Sequence, residues 1–177
     1  SGAGTAVTVL GRQEGPLRDT VAAGDAKGYV LADVTDEDVV DAAVKRAAAE
    51  RGPVDILIAN AGAGESTPFM KADAAQFRRM FDLNVMGVVH ATRAVLGGVV
   101  QRGFGRIVVN SSVAGLKGYA YVTAYCMAKH AVDGFVRALA HFVLSLWPVA
   151  DRYRMLLGLA RRDLGQDRVA EVLAPAR

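Results

Sequence analysis

A chain of 177 residues that is 52% hydrophobic and 22% charged has apolar surface enough for one packed domain of two or three layers, which excludes a disordered or low-complexity reading. One cysteine and three scattered histidines exclude a disulfide framework and a clustered metal site, so no metal is expected and the free thiol fits a reducing cytoplasm. The 21 Lys+Arg against 18 Asp+Glu leave a net charge of +3, dispersed along the chain without a basic face, so no nucleic-acid partner is expected.

Residues 6–10 are apolar and β-branched between Gly4 and Gly11 and read as a buried strand; residues 28–31 read as a second, short one leading to Asp33. Over 36–51, Val39, Val40, Ala43, Val44 and Ala47 recur at helical spacing, with Thr35 placed to cap the start and Gly52-Pro53 to stop it. A third strand, 54–59, follows at once. Residues 74–101 predict a long helix, and Gly97-Gly98 within it predicts an end or bend nearby, because glycine is a poor helix former. A strand at 105–110 and a helix at 122–146 complete the pattern. No basic segment followed by an apolar one opens the chain, and the run 142–149, interrupted by Ser145 and Pro148, is far short of the roughly 20 residues a bilayer requires, so no membrane partner is expected.

Strands that are apolar throughout and alternate with helices predict an α/β fold, a doubly wound parallel sheet covered on both faces in three layers, with residues 1–177 forming a single domain. In such sheets ligands bind beyond the carboxyl ends of the strands. The helix at 122–146 carries the chemistry nearest to one such end. Tyr125 and Lys129 stand four residues apart, so on a helix they share one face, and an ammonium beside a phenol favours the phenolate. That is a means of building an acid–base tyrosine, since an ordinary phenol, with a pKa of about 10, exchanges protons poorly at neutral pH. Ser112, thirteen residues before Tyr125, is a hydroxyl suited to holding a substrate carbonyl oxygen.

Further motifs keep company with this pair: Asn60-Ala61-Gly62 after the third strand, Leu83-Asn84-Val85-Met86-Gly87 within the long helix, and Ser111-Ser112-Val113-Ala114-Gly115 after the fourth strand. In this order and spacing the set resembles the short-chain dehydrogenase/reductase family, over roughly residues 5 to 140. The resemblance implies a Rossmann-like fold and a hydride exchange between a nicotinamide dinucleotide and a small carbonyl/alcohol substrate. Carried over residue by residue, it implies that Tyr125 is the general acid or base and that Lys129 assists it and bonds the nicotinamide ribose. Ser112 rather than Ser111 would polarise the carbonyl, and Asn84, an awkward residue in mid-helix, would hold a water linked to Lys129. Asn60, Ala61 and Gly62 would let backbone approach the cofactor closely.

Arg12, at the end of the first strand, follows Gly11 where an acidic residue would take a ribose hydroxyl. Small-plus-arginine instead suits a 2′-phosphate, so NADP is expected over NAD, unless Arg12 is a solvated loop residue. Asp33 and Val34 resemble the family's pair beside adenine, with a helix-capping aspartate as the other reading. Tyr119 and Tyr121 precede the catalytic helix as substrate-loop or packing residues; His90 and His141 read as packing histidines. The stripe Phe77, Met80, Phe81, Val85, Val88 and Val89 reads as core first and as a subunit contact second, because the family pairs these helices into homodimers or homotetramers.

Two family parts have no counterpart in these residues: a first strand with a glycine-rich turn of T-G-x-x-x-G-x-G type, and, after Ala140, a strand of V-N-x-V-x-P-G type with a substrate lid. The expectation is a sheet lacking one central member. It leaves open a second reading, a non-catalytic homologue or fragment unable to hold the dinucleotide.

Overall fold

The computed structural model of the chain describes residues 5–146. The chain divides into two compact units, Ser1–Val136 and Arg137–Arg177. All the strands and all the candidate residues named above except His141 lie in the first; the described part of the second is residues 137–146, which end the last helix. In chain order the elements are β1 (Thr8–Gly11), α1 (Glu14–Ala22), β2 (Gly28–Leu31), α2 (Glu37–Arg51), β3 (Ile56–Ala59), α3 (Ala74–Phe81), α4 (Gly87–Arg102), β4 (Arg106–Val109) and α5 (Thr123–Ser145).

Helix α1 is the element that sequence patterning missed. Its sequence EGPLRDTVA opens with Gly15 and Pro16, and none of its residues is buried, so no apolar stripe announces it. Pro16 is tolerated because it stands in the first turn, where a backbone N–H has no helical partner to lose. An Arg18–Glu14 ion pair of 3.0 Å one turn apart supports the exposed face. Helix α2 is capped by Asp36, whose carboxylate accepts from the Val39 N–H at 3.1 Å. The expected cap, Thr35, instead gives its backbone N–H and its hydroxyl to Asp33 Oδ1, at 2.9 and 2.8 Å. With Thr35 drawn to Asp33, the Asp36 carboxylate satisfies the free amide, so the cap shifts by one residue.

The strands form two parallel pairs, β1 with β2 (Thr8 opposite Gly28) and β3 with β4 (Ile56 opposite Arg106). Among the described residues no ladder joins one pair to the other. That is the division expected of a parallel sheet lacking a central strand. Each pair has its own core. Val30 and Ala32 of the first meet Ala43 of α2, with Leu10 and Ala47 beside them. Ala59 of the second meets Val85 and Val88 from the α3–α4 region and Ala128 and Val132 from α5, with Val109 and Phe135 packed alongside. Fully burying a Val40 or Val132 contributes about 1.5–3 kcal/mol each. On the opposite face of β3 and β4, Ile56, Ile58 and Val108 are exposed.

Residues 74–102 are helical throughout, but a wider π turn at Asp82–Met86 separates α3 from α4. Helix α4 runs through Gly97-Gly98 to Arg102 and stops at Gly103, which takes the left-handed conformation (φ 63°). The glycines do not end it, because Val95 and Val99 on either side are buried and hold the backbone by packing, which outweighs propensity. This run, rather than 142–149, is long and apolar enough by composition to cross a bilayer, but 44% of its most apolar part is buried inside the protein, and Val85, Val88 and Val95 of the run are core. Phe81 of the predicted stripe is exposed, whereas Met80, Val85 and Val88 are core. His90 packs as expected, its Nδ1 2.9 Å from the Val34 carbonyl. His141 is exposed on α5, a correction to its reading as a packing residue.

Candidate active site

Two loops leaving the carboxyl ends of β3 and β4, and the π turn between α3 and α4, converge on one turn of α5. That turn carries Tyr125, half-buried, and Lys129, 5% exposed. The helical spacing places Lys129 Nζ 5.7 Å from the centroid of the Tyr125 ring, close enough for a cation–π attraction. A buried ammonium needs acceptors, and Nζ donates to the Asn110 carbonyl at 3.0 Å, just past β4. No salt bridge to Lys129 forms among the described residues. Its charge therefore faces a peptide oxygen and an aromatic ring.

Asn110 also binds across the sheet. Its Nδ2 donates to Asn60 Oδ1 at 2.7 Å, and its backbone N–H to the Ala59 carbonyl at 3.0 Å, so the ends of β3 and β4 are clasped side by side. Sequence patterning had assigned Asn110 only to the end of a strand; its spacing from Lys129 carries no signal of its own. From Asn60 the backbone of Ala61, Gly62, Ala63 and Gly64 passes over Asn84, Lys129 and Tyr125. A β-carbon on Gly62 would lie 2.7 Å from Asn84 Oδ1 and 3.7 Å from Lys129 Nζ, and one on Gly64 would lie 3.5 Å from the Tyr125 ring. At Gly62 only a residue without a β-carbon comes this close, whereas at Gly64 a β-carbon would make an ordinary contact.

Asn84 is fully buried, at the centre of the π turn. Its Nδ2 donates to the Met80 carbonyl at 3.0 Å and to the Ala63 carbonyl at 2.9 Å, one bond holding the widened helix and the other holding the loop. Both acceptors are carbonyls, so the amide orientation is fixed and Oδ1 faces the other way, buried and without a hydrogen-bond partner. The awkwardness of asparagine in mid-helix is resolved by the π turn, which commonly occurs at functional positions.

Ser112 is extended and half-buried, and its Oγ accepts from the Ala114 N–H at 3.1 Å, capping the 3-10 turn Val113–Gly115. No hydrogen bond joins it to Tyr125, and its hydroxyl proton is left to donate. Ser111 Oγ is buried without a partner and lies against Gly115, where a β-carbon would sit 3.1 Å from it and 2.5 Å from Asp133 Oδ2. Tyr121, four residues before Tyr125, has φ 64°, a left-handed conformation rare outside glycine, asparagine and aspartate. Its carbonyl accepts from the Thr67 N–H at 2.6 Å, and Gln76 Nε2 supports the Thr67 hydroxyl at 3.0 Å, so the two loops on either side of Tyr125 are tied together.

At the far end of the β1–β2 pair, Arg12 NH1 approaches Asp33 Oδ2 at 3.5 Å, with both side chains open to solvent. The two Thr35 bonds hold the Asp33 carboxyl below its ordinary range against the opposing effect of burial, with Arg12 adding a lesser share. Val34 packs its side chain toward Gly87, where a β-carbon would come within 2.8 Å, and lends its carbonyl to His90. The donor set suits a dinucleotide: an exposed guanidinium and carboxylate past β1 and β2, open backbone past β3, and the buried, unpartnered Asn84 oxygen below it. Among the described residues no group of three His, Cys, Asp or Glu comes together.

Comparison with known proteins identifies the family and the fold. Residues 1–145 match the family model for short chain dehydrogenase. A 2-dehydro-3-deoxy-L-rhamnonate dehydrogenase (NAD(+)) of Sphingomonas sp. is 38% identical over 137 residues, 77% of this chain and 55% of that protein. A (-)-trans-carveol dehydrogenase of Rhodococcus erythropolis is 43% identical over 115 residues, 63% of this chain and 41% of that protein. A crystal structure of a short-chain dehydrogenase from Streptomyces avermitilis superposes with a TM-score of 0.76 at 32% identity, covering 82% of this chain and 54% of that one. An actinorhodin polyketide ketoreductase with NADPH gives 0.77 at 30%, covering 81% and 57%. The chain thus spans about half the length of the relatives it matches.

Proposed function

The chain belongs to the short-chain dehydrogenase family, and on that premise we propose that it serves as an oxidoreductase exchanging a hydride between NADP(H) and a small carbonyl/alcohol pair. The observation that carries the reading is the Lys129 ammonium held 5.7 Å from the Tyr125 ring while anchored to the Asn110 carbonyl. When bound, the nicotinamide supplies the hydride. Tyr125 Oη gives its proton to the carbonyl oxygen in reduction and takes it from the alcohol in oxidation. Ser112, its oxygen engaged by the Ala114 amide, donates a hydrogen bond from its hydroxyl to that same carbonyl oxygen and polarises it, keeping its proton. Lys129 orients the ribose and resupplies the proton, and Asn84 holds Lys129's surroundings in place from beneath.

Arg12 and Asp33 are the residues that would hold the adenosine end, with Val34, Asn60, Ala61 and Gly62 along the path to the nicotinamide. Relatives differ over cofactor: the rhamnonate enzyme's name specifies NAD(+), and the ketoreductase was solved with NADPH. NADP is preferred here because Arg12 presents an exposed guanidinium directly after Gly11, and a small residue followed by arginine suits a 2′-phosphate. A homodimer or homotetramer in the cytoplasm, built without a metal, completes the reading.

Its test is NADPH oxidation by the purified chain against a panel of aldehydes and ketones, with NADPH binding followed in parallel. Turnover supports the enzyme. Saturable binding without turnover on any carbonyl, or no binding at all, favours the non-catalytic homologue.

A further inference from the structure

We infer that Gly62 is a positioning residue for the proton path, acting through Asn84 rather than by touching substrate. The inference rests on the reading of Lys129 and Tyr125 given above. The missing β-carbon of Gly62 marks one point flanked by two groups, Asn84 Oδ1 at 2.7 Å and Lys129 Nζ at 3.7 Å. Asn84 Cγ lies 3.7 Å from that point, farther than its oxygen at 2.7 Å, so it is the carbonyl oxygen that faces the loop here. A methyl group there would overlap the oxygen, because real β-carbons do not come within 3.0 Å of another heavy atom.

The overlap has no easy release. Asn84 is 0% exposed, its amide nitrogen is committed to the Met80 and Ala63 carbonyls, and flipping the amide would set its oxygen against both. Sliding the loop outward would instead pull Ala63 off that nitrogen and disturb Gly64, whose backbone packs on the Tyr125 ring. Either way the displacement reaches Lys129 or Tyr125. Gly62 is therefore the residue whose smallness lets a buried amide oxygen face the catalytic lysine's side of the loop. Conformational freedom is not its role, since Gly62 is absent from the glycines with positive φ.

The test is a double-mutant cycle of Gly62→Ala and Asn84→Ser in the whole chain, read in two ways. By ¹H–¹⁵N NMR, Gly62→Ala should shift or broaden the Asn84 side-chain amide pair while leaving distant amides in place. In steady-state NADPH oxidation, Gly62→Ala should lower kcat about tenfold with KM for NADPH changed less than twofold. In the Asn84→Ser background, where the shortened side chain leaves room for the methyl, the same change should lower kcat less than twofold. An unmoved Asn84 amide, a raised KM with kcat intact, or an equal loss in both backgrounds would each overturn the inference. A wild-type chain without turnover would sink the functional reading instead, and the NMR result would still decide for or against the Gly62–Asn84 contact.

Discussion

Lys129 reaches back one helical turn to lie over the ring of Tyr125, its Nζ 5.7 Å from the centroid, while Asn110, fifty residues in sequence from its own partner Asn60, supplies the carbonyl that holds it there. The cation is thus fixed by the sheet and the phenol by the helix. Their relation depends on β4 ending where it does, because the Asn110 carbonyl is set by the clasp to Ala59 and Asn60. Fold and site meet in that one residue.

If Arg12 meets a 2′-phosphate, as proposed, its single charge separates the two nicotinamide cofactors. Replacing it with alanine should weaken NADPH binding about tenfold, roughly 1.4 kcal/mol, and leave NADH binding within twofold. Fluorescence titration of both cofactors checks this; equal effects on the two, or none, would remove the 2′-phosphate contact.

Asp33 should leave a signature in acid. Its carboxyl is held below the ordinary value, chiefly by the Thr35 backbone N–H and hydroxyl, with Arg12 adding to them. A depressed folded pKa contributes stability that is fully present above the unfolded value of about 4 and is lost as pH falls below it toward the folded one. Urea unfolding of wild type and Asp33→Asn should therefore give a stability difference that shrinks as pH is lowered through that window. A difference constant from pH 7 down to pH 3 would contradict the assignment.

Tyr121 holds a left-handed backbone that a β-branched residue tolerates poorly. Tyr121→Val should destabilise the chain by about 1–2 kcal/mol, whereas Tyr121→Asn should be close to neutral, by denaturant midpoint. Equal behaviour of the two would mean that the Thr67–Tyr121 tie, not the dihedral, governs this loop.

The α/β order was legible because strands of four or five apolar residues alternate with helices, and the carboxyl-end loops were legible because glycine, asparagine and serine gather there. Helix α1 was not, since an exposed helix with no buried residue leaves no periodic apolar signal. The cap of α2 was off by one because Thr35 and Asp36 both carry capping side chains, and only the competing pull of Asp33 on Thr35 decides between them. Tyr125 and Lys129 were readable as a pair on one helix face. What their spacing omits is the supporting frame: the Asn110 carbonyl under Lys129, the Asn60–Asn110 clasp, and Gly64 on the phenol ring are contacts between elements far apart in sequence. Gly97-Gly98 signalled a helix end close by, and α4 does stop at Arg102, although burial of Val95 and Val99 carries it through the pair itself.

The most direct measurement is turnover by Tyr125→Phe, which removes one oxygen and leaves the ring on Gly64 and under Lys129. The account predicts NADPH affinity within twofold of wild type and kcat lowered by about 10²–10⁴-fold, the span a positioned proton donor contributes. A Tyr125→Phe chain that reduces carbonyls at near wild-type rate would contradict it.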